Sequence, residues 1–259
     1  MYGEIRIPVA AMMSFCLVLV RVGGAFVFVP VPGFKNLPRI ARVVLIAGMT
    51  IALLPVWPRV SPEQLEVGTI VLWLLTELTF GVTVGLSIAF LNEAFVLASQ
   101  IFGLQAGYGY ASTVDPATQA DSSVLQILAH LTAGLLFFAL GLHREVIRLF
   151  AESLRVLPPG GRPPTIAAAE PILALGGQMF AIAVRMALPV VALLMLVDLS
   201  LALLGRINSQ LQLLMLAFPA KMLVSMILLA AIAVALPRLY QAAAGPTFET
   251  LGEVLLRAW

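Results

Sequence analysis

The composition of this chain excludes an ordinary soluble domain. Its 259 residues are 61% hydrophobic and only 11% charged, whereas soluble domains average about 45–50% apolar and about 25% charged residues. A net charge of +2 with scattered basic residues argues against nucleic acid as a partner. Disorder is excluded because disordered chains combine low hydrophobicity with high net charge. The single cysteine, Cys16, excludes an internal disulfide and a cysteine-based metal cluster.

The beginning of the chain allows two interpretations. An apolar run over residues 9–20 follows a short charged start and precedes small residues at positions 23–25, which imitates a secretory signal peptide. Because Arg21 separates the run from the small residues, and apolar sequence then resumes, we favour an uncleaved first membrane segment. A mature N-terminus near Ala25 would support the signal peptide instead.

Hydrophobic stretches recur along the chain and predict an all-α, polytopic membrane protein. They cover residues 9–34, 40–57, 67–104, 124–142, 172–204 and 211–236. A helix needs about 20 apolar residues to cross a bilayer core, and these stretches lack the alternation that marks membrane β-strands. The third and fifth are nearly twice the length of one span, so each is either a long tilted helix or a bent helical hairpin.

A Pro/Gly-rich stretch over residues 158–171 divides the chain and is expected to be a non-helical linker. We predict an N-terminal helical part over residues 1–157, which includes a polar loop at 106–121. The C-terminal part, residues 172–259, is predicted to be a helical hairpin with a tail. Basic residues cluster in the loop around Lys35 and again, mixed with acidic residues, between Arg144 and Arg162, while the other short loops carry almost no bias. The positive-inside rule therefore leaves the orientation open.

Six charged residues interrupt or closely border the apolar runs. They are Arg21, Glu77, Glu93, Arg185, Asp198 and Lys221. Each costs about 2.5–3.5 kcal/mol if it faces lipid at the centre of a span, so most must be paired, line water or contact other subunits. Arg185 and Asp198 lie about 140° apart around one helix and cannot pair, which leaves Lys221 on the next segment as a candidate partner of Asp198. Buried ion pairs are the simplest explanation; an ion- or proton-conducting relay and subunit contacts are the alternatives.

Two glycines follow Glu77 at a spacing of four residues, at Gly81 and Gly85. This spacing keeps all three on roughly one helix face, where small residues let another helix approach closely. We therefore expect tight helix packing at this strip, either within the chain or between chains.

No catalytic motif emerges from the sequence. There is no HExxH motif and no phosphate-binding loop around either lysine, and the glycines at Gly107 and Gly109 lack the third glycine of a dinucleotide loop. His130 and His143 do not share a helix face with carboxylates at ligand spacing. We therefore predict a protein that is not an enzyme, with no metal site and no cofactor.

The loop between residues 106 and 121 combines small, aromatic and helix-breaking residues. It contains Gly107, Tyr108, Gly109, Tyr110, Thr113, Val114, Asp115 and Pro116. Non-helical backbone between membrane segments is tolerated where it is buried in protein or lines a watery cavity. The small and aromatic residues of this loop are compatible with a mobile loop that fills a channel. Its chemistry alone favours the alternative, an ordinary surface loop.

Motifs spread over almost the whole chain resemble those of one known family. The first are Arg21 with Gly23, Pro30 and Pro38, then Pro55, then Glu77, Gly81 and Gly85, then Gly103-Leu-Gln105-Ala-Gly107 and Val114-Asp115-Pro116. The later ones are Gly141-Leu-His143 with Ser153 and Pro158, then Arg206-Ile-Asn-Ser209-Gln210-Leu-Gln212 and Phe218-Pro219-Ala-Lys221. In order and spacing they resemble the FliR family of flagellar type III secretion export-gate proteins, whose injectisome relatives are the SctT proteins.

Three positions depart from the pattern of that family. Ser209 stands where proline is usual, and Gln212 stands where asparagine is usual. Thr113 stands where a bulky aromatic residue is frequent in the family. Tyr108 and Tyr110 are therefore the bulky groups of this loop.

The resemblance implies a pore and gate subunit that passes unfolded flagellar substrates across the bacterial inner membrane, in the flagellar basal body. It implies FliP- and FliQ-type subunits as partners in a helical export-gate complex, with an FlhB-type subunit and membrane lipid as further partners and no nucleic acid. The N-terminal part then resembles a FliP-type subunit and the C-terminal hairpin a FliQ-type one, both built from long bent hairpins.

The resemblance also implies roles for individual residues. A plug or gate loop corresponds to Gly107, Tyr108, Gly109, Tyr110, Thr113, Val114, Asp115 and Pro116. Helix packing or subunit contacts are expected at Arg21, Glu77, Gly81, Gly85, Glu93, Arg185, Asp198, Arg206, Gln210, Pro219 and Lys221.

Two other functions stay open at this level. A secondary transporter would use Glu77, Glu93, Asp198 and Lys221 as a relay, although the chain lacks the inverted repeat common in transporters. A membrane-assembly or scaffold protein without a pore is the other. The sequence leaves open whether the system is flagellar or an injectisome.

Overall fold

A computed structural model describes residues 8–29, 38–57, 66–108, 123–159, 169–207 and 213–257. Over these residues the chain forms α-helices, one short 3₁₀ turn at Leu54–Val56 and no strand. The helices are α1 (Val9–Phe26), α2 (Arg39–Ala52), α3 (Val67–Ala106), α4 (Ser123–Ala139), α5 (Leu142–Val156), α6 (Ala169–Ile207), α7 (Leu213–Ala233) and α8 (Leu236–Arg257). The prediction of an all-α protein is confirmed.

The two double-length hydrophobic stretches form continuous helices rather than hairpins. Helix α3 has 40 residues and α6 has 39, so each is about 60 Å long at 1.5 Å per residue. The long-helix alternative was right for both. Helix α6 continues through Pro189, as membrane helices can when neighbouring groups satisfy the freed backbone carbonyls.

Sharp bends occur elsewhere in the chain. Helices α4 and α5 meet at 64°, and α7 and α8 also meet at 64°. At the first bend Gly141 adopts a left-handed conformation with φ of 75°, which other residues adopt only at a steric cost. The second bend precedes helix α8, so the segment that we predicted to be a tail is helical.

The predicted linker needs one correction. Leu157, Pro158 and Pro159 are non-helical, as expected, but α6 already begins at Ala169 and includes Pro171. Proline is tolerated in the first turn of a helix because its missing N–H has no partner there. Residues 160–168 lie outside the described part of the chain, and the division into two parts stays a prediction.

The helices are long and apolar enough to make this a polytopic membrane protein. Helices α1, α3 and α6 each qualify as a membrane span, and the bent pairs α4–α5 and α7–α8 raise the number to five if each pair counts as one span. The second predicted segment forms the 14-residue helix α2, which is shorter than a bilayer core requires.

By the contacts between its residues the chain divides into two compact units. The first comprises Met1–Phe90, Phe137–Gly176 and Gly245–Trp259, and the second comprises Leu91–Leu136 and Gly177–Ala244. In the first unit, Leu17 of α1 packs with Trp73 of α3. In the second unit, Phe102, Leu125, Val190 and Leu194 form a buried cluster.

Glycines on α1 and α3 bring these two helices into close contact within the first unit. A Cβ atom at Gly81 would overlap the carbonyl oxygen of Arg21, and one at Gly85 would overlap the backbone of Ala25. On the facing helix, a Cβ atom at Gly24 would lie 2.9 Å from the carbonyl oxygen of Leu78. The predicted glycine strip is therefore a packing surface within the chain, where backbone meets backbone.

The close contact predicts a large difference between two Gly→Ala substitutions on α3. Gly81→Ala should lower the free energy of unfolding by about 1–3 kcal/mol, because backbone atoms must move to admit the methyl group. Gly68→Ala is the matched control, since a Cβ atom there meets nothing within 4 Å, and alanine favours the helix. Thermal unfolding in detergent measures both variants, and equal melting temperatures would contradict the packing described here.

Candidate functional site

A buried ion pair joins α1 to α3 in the first unit. The Arg21 guanidinium donates from Nε to Glu77 Oε2 and from Nη2 to Glu77 Oε1, the latter over 3.1 Å. The two side chains are only 3% and 1% exposed. This two-pronged geometry is the strongest arrangement available to an arginine and a carboxylate.

Arg21 also binds the C-terminal end of α5. Its Nη1 donates to Ser153 Oγ over 3.1 Å, and its Nη2 donates to the carbonyl oxygen of Leu157 over 2.9 Å. The Arg21 Cζ atom lies 4.6 Å from the centroid of the Phe80 ring on α3. Leu157 is the residue directly after α5, so these hydrogen bonds of Arg21 tie α1, α3 and α5 together.

The surroundings of Arg21 extend this network by one bond. Ser153 is itself buried and donates from Oγ to the carbonyl oxygen of Phe150 over 2.8 Å. The amphipathic helix α5 buries one side, with Leu149, Phe150 and Leu154, and exposes its charged residues. Ser153 belongs to the motif residues that carry the family resemblance but was not predicted as a site residue, because nothing in its spacing links it to Arg21.

Removal of one partner of the buried pair should be strongly destabilising. Glu77→Ala leaves the Arg21 charge buried without its counter-charge, which costs about 3–5 kcal/mol. Glu145→Ala is the matched control, because the Glu145–Arg148 pair of α5 is 49% and 74% exposed and such pairs contribute little. Chemical denaturation in detergent should show a much lower unfolding midpoint only for Glu77→Ala. Similar midpoints for the two variants would contradict the claim that the buried ion pair stabilises the fold more than the exposed one.

A second polar cluster lies in the second unit. Lys221 of α7 forms an ion pair with Asp198 of α6 over 2.9 Å, which confirms the partner expected from the sequence. Gln105, near the end of α3, donates from Nε2 to Asp198 Oδ2 over 3.0 Å. The carboxylate of Asp198 is 43% exposed and the Lys221 side chain 12%, so this pair is partly open to its surroundings. Asp198 thus joins α3, α6 and α7.

The end of α3 is fixed by its backbone and by a tyrosine. Gly107 has φ of 85°, and the amides of Gly107 and Tyr108 donate to the carbonyl oxygens of Leu104 and Gly103 over 3.1 Å each. These two bonds form a Schellman motif, which terminates a helix at a left-handed glycine. The hydroxyls of Tyr108 and the buried Ser225 of α7 form a hydrogen bond of 3.1 Å.

The described residues therefore include the start of the predicted plug loop. Gly107 and Tyr108 belong to it, while Gly109, Tyr110, Thr113, Val114, Asp115 and Pro116 lie outside the described residues, as does Gln210. Gln105 was named in the family motif that ends at Gly107 but was not predicted as a site residue, and Ser225 was not named at all. A signal for Ser225 existed, since it follows Lys221 by four residues and shares its helix face.

Four other predicted contact residues lie on exposed surface. Glu93 on α3, Arg185 and Arg206 on α6, and Pro219 on α7 are all exposed. The structure brings none of them into either polar cluster. Their predicted role as contacts to other subunits therefore stays a prediction, and it is consistent with their exposure.

One further buried polar pair lies in the second unit. The Tyr240 hydroxyl of α8 donates to Asn92 Oδ1 of α3, and the Tyr240 ring lies 4.7 Å from the ring of Phe95. Both Tyr240 and Asn92 are buried. This contact was not predicted, because Tyr240 lies in the segment that we expected to be a tail.

The fold and the two clusters define an all-helical membrane protein whose few buried charges hold helices together. Comparison with known proteins specifies the class. The family of bacterial export proteins, family 1, matches residues 12–245. The chain belongs to this family.

Individual relatives agree with the family assignment. The chain is 29% identical over 215 residues to the flagellar biosynthetic protein FliR of Escherichia coli (strain K12), covering 83% of this chain and 82% of that protein. It is 29% identical over 184 residues to FliR of Pectobacterium carotovorum subsp. carotovorum, covering 71% and 70% of the two chains. It is 27% identical over 220 residues to FliR of Bacillus subtilis (strain 168), covering 83% and 84%. The resemblance to the FliR family is confirmed.

Proposed function

We propose that this chain is a pore and gate subunit of the flagellar type III protein export apparatus. In this role it passes unfolded flagellar substrates across the inner membrane and is not itself an enzyme. Membership of a bacterial export family and similarity to FliR proteins over most of the chain support this assignment. The observation that carries the gate function is the fixed start of the loop that follows α3.

The loop begins from a rigid base. Gly107 ends α3 in a Schellman motif, and Tyr108 is held by Ser225 and by apolar side chains of the cluster around Phe102 and Leu194. A loop that closes a pore must leave its helix in a fixed direction, since otherwise its tip cannot reach the same place each time. The described end of α3 meets this requirement.

The polar cluster around Asp198 supports the same base. Gln105 is the last residue but one of α3, and its amide binds the carboxylate that Lys221 also binds. The cluster therefore couples the loop to α6 and α7. We propose that Asp198 and Lys221 position the gate, and that Arg21 and Glu77 hold the first unit in shape.

The remaining charges and the apolar exterior are assigned to neighbouring subunits. Many large apolar side chains are exposed, among them Leu135, Leu173 and Ile227. We propose that FliP- and FliQ-type subunits cover part of this surface, that an FlhB-type subunit joins the complex, and that lipid covers the rest. Glu93, Arg185, Arg206, Gln210 and Pro219 are the proposed contacts.

Co-expression with FliP- and FliQ-type proteins tests the assembly. A shared complex should survive purification in mild detergent, because the exposed apolar surface is buried between subunits. Recovery of the chain as a free monomer, in the presence of correctly inserted partners, would contradict the proposed function.

Deletion of residues 107–115 tests the gate. The complex that lacks the loop should make liposomes leaky to small ions, while the intact complex should keep them tight. An unchanged leak in a complex of unchanged subunit composition would contradict the plug function.

A single substitution tests the base of the loop more finely. Gly107→Ala forces a side chain into the left-handed conformation and should weaken the helix end, so the leak should rise above that of the intact complex. Gly177→Ala is the matched control on α6, since a Cβ atom there meets nothing within 4 Å. Equal leak from both variants would show that the Schellman motif does not control the loop.

The ion pairs of Glu77 and Asp198 bear on the alternative that this protein is a secondary transporter. A relay requires carboxylates that gain and lose protons during each cycle. Both oxygens of Glu77 accept hydrogen bonds from Arg21, and Asp198 accepts from Gln105 and Lys221. These arrangements support structural roles for the two acids.

A further inference from the structure

Helix α6 has one packed face and one open face in the second unit. Ala183, Ala187, Val190 and Leu194 are at most 2% exposed, and they lie along one side of the helix. The opposite side presents large apolar side chains. Val184, Leu188, Met195, Leu196 and Leu199 are 46%, 55%, 59%, 58% and 57% exposed. In an apolar 18-residue stretch of this helix only 17% of the residues are buried. The outer face of α6 must therefore be covered by lipid or by another protein.

Arg185 lies on that open face. It follows Ala183 by two residues, which places it about 200° around the helix, opposite the packed side. Arg185 is exposed and forms no ion pair with any residue that the structure describes. It differs in this respect from Arg21 and Lys221, which have acidic partners.

The length of the apolar runs makes this charge difficult to place in lipid. Residues 171–184 and 186–197 are uncharged runs of 14 and 12 residues, and each is shorter than the roughly 20 residues of a span. Any span formed by α6 must therefore include Arg185, Asp198 or both. Asp198 has Lys221 as its partner, whereas Arg185 needs a counter-charge from outside the described residues.

Arg185 lies at the N-terminal end of the large apolar side chains on this face. Val184 adjoins it, and Leu188, Met195 and Leu199 follow it along the helix, whereas Gln178 and Ala181 lie on the same face before it. An exposed apolar patch marks an interaction surface, and a helix of another subunit would cover these side chains and supply the counter-charge.

We propose that the outer face of α6 binds an apolar helix of a partner subunit that carries one acidic side chain, and that this carboxylate pairs with Arg185. The proposal rests on the proposed function, since it requires a membrane complex of several subunits. The occupant is defined by charge complementarity: an apolar stripe to match that of α6, with a single negative charge at the height of Arg185.

Charge reversal in the complex co-expressed with FliP- and FliQ-type proteins tests the proposal. Arg185→Glu places two negative charges together and should reduce recovery of one partner subunit about tenfold or more. Arg185→Lys keeps the positive charge and should retain most of the partner. Arg148→Glu on the exposed face of α5 is the matched control. Native mass spectrometry measures the subunit composition, and the amount of the chain in membranes shows that each variant is inserted.

A second set of variants identifies the partner carboxylate. Each acidic residue inside an apolar helix of the partner subunits is changed to arginine in the presence of Arg185→Glu. One such change should restore the lost subunit, because it re-forms the pair with its charges exchanged. If no such change restores the lost subunit, the proposal that a partner carboxylate pairs with Arg185 is wrong.

The possible outcomes separate this proposal from the proposed function. Failure of the wild-type chain to form a complex would contradict the proposed function. A wild-type complex together with an unchanged Arg185→Glu complex would overturn the helix contact alone. Retention of all subunits with loss of a bound anionic phospholipid would also overturn it, and would assign Arg185 to a lipid phosphate.

Discussion

The ion pair between Arg21 and Glu77 is the interaction on which the described structure of the first unit depends. It lies where glycines let α1 and α3 approach so closely that backbone meets backbone, and Arg21 extends it to the end of α5. A buried charge pair contributes little net stability compared with apolar groups, but it penalises every arrangement that separates its members. In a chain with so few charges, this penalty defines which helices belong together.

The same principle applies, in a more open setting, to the second unit. Asp198 accepts hydrogen bonds from residues of two other helices, Gln105 and Lys221. Gln105 belongs to α3, which ends one residue later at Ala106 and leads into the predicted gate loop. The polar cluster of the second unit thus lies near the end of α3, directly before the predicted gate loop. Apolar side chains cover the exposed sides of the long helices.

The sequence predicted much of the helical content and one of the two ion pairs that join different helices in the described part of the chain. Asp198 and Lys221 were linked because Arg185, on the same helix as Asp198, cannot reach it, which leaves Lys221 on the next segment. Arg21 and Glu77 were not linked, since three acidic candidates were available and nothing in the spacing brings α1 to α3. Helix α5 was missed because its exposed charges interrupt the apolar pattern. The bend at Gly141 was missed because its left-handed conformation distinguishes it from the other glycines only in three dimensions.

We propose that the buried charges of this chain hold helices in place and do not conduct ions or protons. Joint replacement of the buried pair, Arg21→Met with Glu77→Leu, tests it most directly, with export of flagellar protein measured in cells that lack the native subunit. Each single change leaves one charge unpaired and should abolish export, whereas the double change removes both charges and often costs little stability. If the pair has only a structural role, the double variant should regain the export that each single variant loses. A double variant that assembles normally in the membrane but exports nothing would contradict it.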